Sequence, residues 1–295
     1  MKVQLDFMKY RRFYYLVSLA VIVAGLISLA VRGLNLGIDF TGGNLLQVEF
    51  NKPVAIEQVR QVLGEARLHS FRVQQSEANQ FLVRTSELTE AESESLVNTL
   101  KQKLGELKVL RNEKVGAVIG RELTLNAIWA LLIGWALMLA YISVRFQFYF
   151  GLAALLALVH DVLVTLGFFS LFQIEVDSAF VAAILTLIGY SINDTIVIFD
   201  RIRESLKLMR KAPLPEIINY SLNVSLVRTI TTSATVIIVL VCLLVLGGQT
   251  TKGFALALLV GTITGTYSSD CIASPLYYEF QQRWGQRRRP ATRTA

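Results

Sequence analysis

Five polar residues inside or at the edge of membrane-length apolar runs are where this chain could do chemistry. In the stretch Ile188-Gly-Tyr-Ser-Ile-Asn-Asp-Thr-Ile-Val-Ile-Phe-Asp-Arg-Ile-Arg-Glu204, Asn193 and Asp194 sit side by side within an apolar run. His160-Asp161 lies near the midpoint of the preceding run, and Arg228 opens the following one. A carboxylate at the centre of a membrane helix costs roughly 2.5–3.5 kcal/mol by insertion scales, so such acids face a bundle interior or a hydrated crevice. A carboxyl taken out of water favours keeping its proton, and an arginine beside it favours release. A helix shift that changes the pairing therefore changes proton affinity. The chemistry open to this set is a proton or ion relay. Asp194, Asp161 and Arg228 are its charged candidates, Asn193 is a hydrogen-bonding partner, and His160 titrates in the right range for proton traffic. The static alternative is that these residues pair only to specify helix packing. Asp270, near the end of the last apolar run, reads as reaching the interface.

The elements that must position these groups follow from composition. Of 295 residues, 53% are hydrophobic and 17% charged, and the mean hydropathy is +0.50. That is the profile of a membrane protein, not of a soluble domain. The net charge of +7 comes from basic residues beside apolar runs, which fits positive cytoplasmic loops better than a nucleic-acid surface. Six runs are long enough to span a bilayer: Tyr14–Val31, Leu123–Val144, Phe148–Phe172, Ser178–Phe199, Thr229–Leu246 and Phe254–Ser274. Lys2, Lys9, Arg11 and Arg12, then Arg201–Arg228, then Arg283–Arg293, place residues 1–13, the loop 200–228 and the tail 275–295 on the cytoplasmic side. Ser28-Leu29-Ala30 has the form of a signal-peptidase site, but the first run is long for a cleavable leader and reads as an anchor.

Two stripes of small residues allow close helix approach. One is Ala179, Ala182, Thr186, Gly189 and Asn193. The other is Ala257, Gly261, Gly265 and Ser269. Cys242 and Cys271 fall in apolar runs and read as packed thiols, and no spacing suggests a metal or cofactor.

Residues 32–122 form the sizeable polar segment, placed outside. It opens with Gly37-Ile-Asp-Phe-Thr-Gly-Gly43, whose glycines read as turns or close backbone approach. Leu46, Val48 and Phe50 alternate with Gln47 and Glu49 as a half-buried strand. A helical pattern after Pro53 carries Ile56, Val59 and Leu63 on one face. Strands around Phe71–Val73 and Phe81–Val83 follow. Thr89 and Glu92 form a capping box before a helix burying Val97, Leu100 and Leu104, and Lys108–Asn112 is the last strand. The order β-α-β-β-α-β predicts a small ferredoxin-like α+β domain. His69 reads as a surface residue. No H-E-x-x-H, G-x-S-x-G or P-loop is present, so an enzyme is not expected.

These residues together resemble the SecF branch of the SecD/SecF family of bacterial protein-translocase subunits. The resemblance rests on Gly37-Ile-Asp39-Phe-Thr-Gly42-Gly43, His160-Asp161, Gly189-Tyr-Ser-Ile-Asn-Asp194 with Asp200-Arg201-Ile-Arg203-Glu204, and Arg228-Thr229. It covers essentially the whole chain. It departs at Ala117, where the family usually has proline, and no family pattern includes Asp270. It implies an RND-like bundle of six transmembrane helices with a small periplasmic domain in the bacterial inner membrane. It implies a heterodimer with SecD, association with the SecYEG channel and YajC, and action on preprotein after the SecA-driven steps, powered by the proton-motive force. Asp194 and Arg228, then Asp161 and Asn193, are the proton-coupling positions it implies. Competing expectations are half of a proton-driven small-molecule exporter, whose external loop is usually much larger, and a purely structural assembly subunit.

Overall fold

Long uninterrupted apolar stretches can satisfy their backbone only as helices, and the chain obeys this. The computed structural model describes residues 5–66 and 70–285. His69, Lys2 and the tail arginines beyond 285 lie outside the described residues. In order, the elements are α1 (Arg11–Arg32), β1 (Asn35–Leu36), α2 (Ile38–Thr41), β2 (Gly43–Phe50), α3 (Ile56–Glu65), β3 (Phe71–Glu77), β4 (Gln80–Thr85), α4 (Glu90–Leu104), β5 (Leu107–Val115), α5 (Ala117–Arg145), α6 (Phe148–Phe172), β6 (Glu175–Val176), α7 (Ser178–Leu208), α8 (Leu214–Leu246) and α9 (Gln249–Ser268). A π-helical segment, Ser269–Ala273, then leads into α10 (Ser274–Phe280). Two compact units result. One comprises residues 36–129 with 175–178, and the other the rest of the described chain.

The smaller unit has the expected β-α-β-β-α-β order. Its four-stranded antiparallel sheet runs β3-β4-β2-β5. Val48, Phe81, Val83, Val59, Leu63 and Leu100 are completely buried between the sheet and α3 and α4. The capping box at Thr89 and Glu92 is formed. Three details depart from expectation. β2 is a central strand, so Gln47 is buried as well as Leu46 and Val48. α4 buries Leu96 and Leu100, while Val97 and Leu104, also expected to be buried, pack against the core half-buried. The Gly37–Gly43 stretch is not a plain turn: Ile38–Thr41 is one helical turn, closed by Gly42 at φ +71°.

Asp39 Oδ2 accepts a 2.8 Å hydrogen bond from the backbone N–H of Ser178, the first residue of α7. That N–H is one of the four a helix start leaves without an intrahelical acceptor, so Asp39 caps the helix that carries Asp194. A Cβ on Gly42 would come within 2.8 Å of Ala117 Cα, at the start of α5. The motif's glycine therefore lets backbone meet backbone, as the close-approach reading expected, at the position where the family usually has proline.

In the larger unit, side-chain pairs fix the helix directions. Ser18 with His160, Gly25 with Gly167 and Ser28 with Ser170 are each 142 residues apart, so α1 and α6 run parallel. Leu187 with Gly261, Ser191 with Gly265 and Thr195 with Ser269 are each 74 apart, so α7 runs parallel to α9. Phe169 with Phe180, Asp161 with Ser191 and Phe150 with Phe199 set α6 antiparallel to α7. Tyr190 with Ser233 and Ser205 with Ser221 do the same for α7 and α8. α5 and α6 are joined by Phe146 and Gln147 alone, and the position of a Gly151 Cβ lies 2.8 Å from Ser143 Oγ. The six long helices thus alternate in direction along the chain.

Among the described residues five helices, α1, α5, α6, α7 and α8, are long and apolar enough to cross a membrane. The sixth run is divided by the π segment, and α9 alone ends in Thr, Gly, Tyr and Ser. The predicted loop 200–228 is largely helix, with α7 extending to Leu208 and α8 beginning at Leu214. Residues 5–8 lie along that extension of α8. Leu5 and Asn223 exchange two 2.8 Å bonds, and Met8 N–H donates to Asn219 Oδ1 at 3.0 Å.

Candidate functional site

Asp161 is wholly buried, and every oxygen of its carboxylate is engaged. Ser191 and Ser268 donate to Oδ2 at 2.7 and 2.9 Å. His160 Nδ1 lies 3.0 Å from Oδ1. His160 Nε2 lies 3.0 Å from Ser18 Oγ, which is 3.3 Å from Tyr267 Oη, and that hydroxyl donates to the carbonyl of Tyr14 at 3.1 Å. Four helices converge here because glycine keeps them close. A Cβ on Gly265 would lie 3.0 Å from Ser191 Cβ and 3.6 Å from Asp161 Oδ2. On Gly261 it would overlap Leu187 at 2.6 Å. Gly25 and Gly167 let α1 approach α6 in the same way.

The single hydrogen on Ser18 can serve His160 or Tyr267 but not both. The chain from Asp161 through His160 and Ser18 to Tyr267 therefore has two proton arrangements. One places the imidazole hydrogen on Nδ1, and the other requires a hydrogen on Nε2. This is the chemistry of a proton-conducting wire, but as a closed network it is also a stable packing element.

Asp194 is arranged differently. It is 5% exposed, and its Oδ2 has no hydrogen-bond partner. The arginine acting on it is Arg228, yet among the described residues no ion pair joins the two. Arg228 is exposed and lines a cleft of about 530 Å³ with Tyr141, Arg145, Asp200 and Glu204. Asn193, one position round the helix, is exposed, as are Ala182, Thr186 and Gly189. A Cβ on Gly189 would meet nothing within 4 Å. Among the described residues, nothing packs on that stripe at Gly189, whereas Gly261 and Gly265 are covered.

The structure thus brings Asp161, His160 and Gly265 together and sets Asp194 three residues further along α7, unpartnered. It does not bring Asn193 to the cluster. Asp270, expected at the interface, is instead buried at 5% exposure. Cys271 is buried as expected, but Cys242 is exposed. Sequence reasoning missed Ser18, Tyr267, Ser191 and Ser268. Ser191 was within reach, since it lies inside the Gly189–Asp194 motif, and the structure sets it against Gly265.

The elements and the cluster define a multi-pass helical membrane protein with buried acids in its bundle. Residues 95–283 match the family described as protein export membrane protein SecD/SecF, C-terminal, and residues 27–54 match the SecD/SecF GG motif. The protein translocase subunit SecF of Sebaldella termitidis is 47% identical over 280 residues, covering 93% of this chain and 91% of that protein. That of Magnetococcus marinus is 44% identical over 299 residues, covering 98% and 96%. SecDF from Thermus thermophilus, a translocon-associated membrane protein, superposes with a TM-score of 0.89 at 37% identity over 95% of this chain. This chain spans 39% of the length of that one. A SecDF structure in the super-membrane-facing form gives 0.73 at 36% identity over 97% of this chain and 40% of its own. The chain belongs to the SecD/SecF family.

Proposed function

We propose that this chain is a non-enzymatic subunit of the Sec preprotein translocase that couples the proton-motive force to late steps of translocation. The single observation carrying the reading is Asp194: a buried carboxylate with an unpartnered oxygen, beside a helix face that nothing among the described residues covers. In an apolar bundle such a group is costly unless it is protonated or paired. Protonation and deprotonation would then be matched by movement of the adjacent helix contact.

The exposed Ala182–Thr186–Gly189–Asn193 face is where SecD would supply that contact, because Gly189 leaves room for a helix backbone. The alternating directions of the six helices support α9 as a sixth span, with both chain ends cytoplasmic and the 36–129 unit periplasmic in an inner membrane. SecYEG and YajC are the remaining partners of the reading, with preprotein as the cargo delivered after SecA.

Crosslinking tests the reading. A photoreactive group on the 36–129 unit should capture a translocating preprotein, and the yield should change when the proton gradient is collapsed. Capture that is absent, or unchanged by the gradient, overturns it.

A further inference from the structure

Asp270 is the buried acid that neither the Asp161 network nor the Asp194–Arg228 relation uses. It lies in the π segment, within the run Ser268–Pro275, every residue of which is buried. Its Oδ1 has no hydrogen-bond partner, and neither has Asp194 Oδ2. Both residues are 5% exposed.

The α7–α9 register sets these two acids beside each other. Leu187 meets Gly261, Ser191 meets Gly265, and Thr195 and Ser269 share a 3.0 Å hydrogen bond. Asp194 and Asp270 are the residues immediately flanking that bond, one on α7 and one in the π segment. The nearby hydroxyl hydrogens have other acceptors. Of the Thr195 and Ser269 hydroxyl hydrogens, one serves the bond between them and the other goes to the Ser191 or Gly265 carbonyl. A π turn interrupts the regular helix where Ser269 and Asp270 both face inward, a distortion that recurs at functional sites.

Other titratable groups around the segment are accounted for. On α6, His160 and Asp161 are hydrogen-bonded to each other and to serines. On α1 and α9, Tyr14 and Tyr267 lie on the Cys271 side of the segment. On α10, Glu279 pairs with Arg11. On α8, Arg228 acts on Asp194 from the exposed cleft.

We propose that Asp194 and Asp270 form a carboxylate pair that holds one shared proton between α7 and the π segment. Two buried acceptor-only oxygens are costly, and one proton turns one of them into a donor to the other. Uptake of one proton converts a doubly ionised pair to an acid–carboxylate pair, and release reverses it, with no other atom exchanged. This deepens the proton-coupling reading of Asp194 and rests on it for its purpose, but the pair itself can be tested without transport.

The test is isotope-edited infrared spectroscopy of aspartate carbonyl bands during a pH titration of the chain in lipid vesicles. In coupled pairs each site titrates in two steps that belong to the pair. The Asp194 band should show two steps about one pH unit or more apart. Asp270→Asn should reduce it to one step, and Asp270→Glu should retain two. A single-step Asp194 band that Asp270→Asn leaves unchanged overturns the pair, as does a band governed by sodium concentration instead of pH. If Asp270→Asn does not fold, as read from its thermal unfolding, the wild-type and Asp270→Glu titrations decide alone. A failed pair together with loss of gradient-driven translocation in Asp194→Asn removes only Asp270 from the account.

Discussion

Replacing Gly167 by alanine should force α1 and α6 apart. A Cβ there would lie 2.7 Å from Gly25 Cα, whereas non-bonded carbons rest about 3.5–4.0 Å apart. The shortfall is about 1 Å. Both partners are backbone, so no rotamer change relieves it. The Ser18–His160 bond at 3.0 Å and the Ser28–Ser170 bond at 2.9 Å lie on either side of the contact. A shift of that size carries both past hydrogen-bonding distance. Overpacking costs about 1–3 kcal/mol and each lost bond about 0.5–1.5 kcal/mol. The summed destabilisation is about 2–6 kcal/mol, less where the helices tilt instead of separating. Equilibrium unfolding in mixed micelles measures it, with Gly189→Ala on the same chain as control. A Cβ at Gly189 meets nothing, and alanine is the better helix former, so the control should be neutral or slightly stabilised. If Gly167→Ala proves no less stable than Gly189→Ala, the close α1–α6 crossing is wrong.

Three further outcomes follow from particular contacts. Asp161→Leu strands the donors Ser191 and Ser268 and the His160 ring nitrogen, and should cost about 3 kcal/mol or more in the same unfolding assay, with Asp161→Asn clearly milder. Gly43→Ala should destabilise the 36–129 unit, because Gly43 sits at φ +120° and a Cβ there overlaps the Thr85 carbonyl. Faster amide exchange along β2 and β4 would report this. Burial raises the affinity of Glu175 for its proton, and the ion pair with Arg84 only partly offsets that. A carboxyl raised in the folded state contributes stability that is present below the ordinary Glu range, about 4.3, and lost as pH rises through its raised value. The protection of the Gly37 amide, bonded to the Val176 carbonyl at 2.8 Å, should therefore fall over that window and become flat in Glu175→Gln. A rise with pH would refute this.

The long helices and the α+β unit were legible because their signals are periodic. Leu46, Val48 and Phe50 alternate, Thr89 and Glu92 cap, and apolar runs of membrane length admit little but helix. What failed to read was whatever depends on a distant partner. Ser18, Gly25 and Ser28 look incidental in an apolar run, and only the constant offset to His160, Gly167 and Ser170 makes them a seam. α8 begins well before its apolar run because Asn219 and Asn223 are polar on one face, where they hold residues 5–8, while Ile217, Ile218 and Leu222 are buried on another. Hydropathy averages those faces. The π segment has no sequence signature, so Asp270 looked close to the membrane surface when it is in fact enclosed. The small-residue stripe on α7 was legible as a packing face, but among the described residues Ala182, Thr186, Gly189 and Asn193 stay exposed, and sequence pattern does not distinguish an internal contact from an external one.

The central claim is that Asp194 carries the proton coupling. Translocation into proteoliposomes containing the complete complex, with an imposed proton gradient, tests it most directly. Asp194→Asn should leave assembly and gradient-independent translocation intact and abolish the acceleration that the gradient brings. Gradient-driven translocation at the normal rate in that variant would contradict the account.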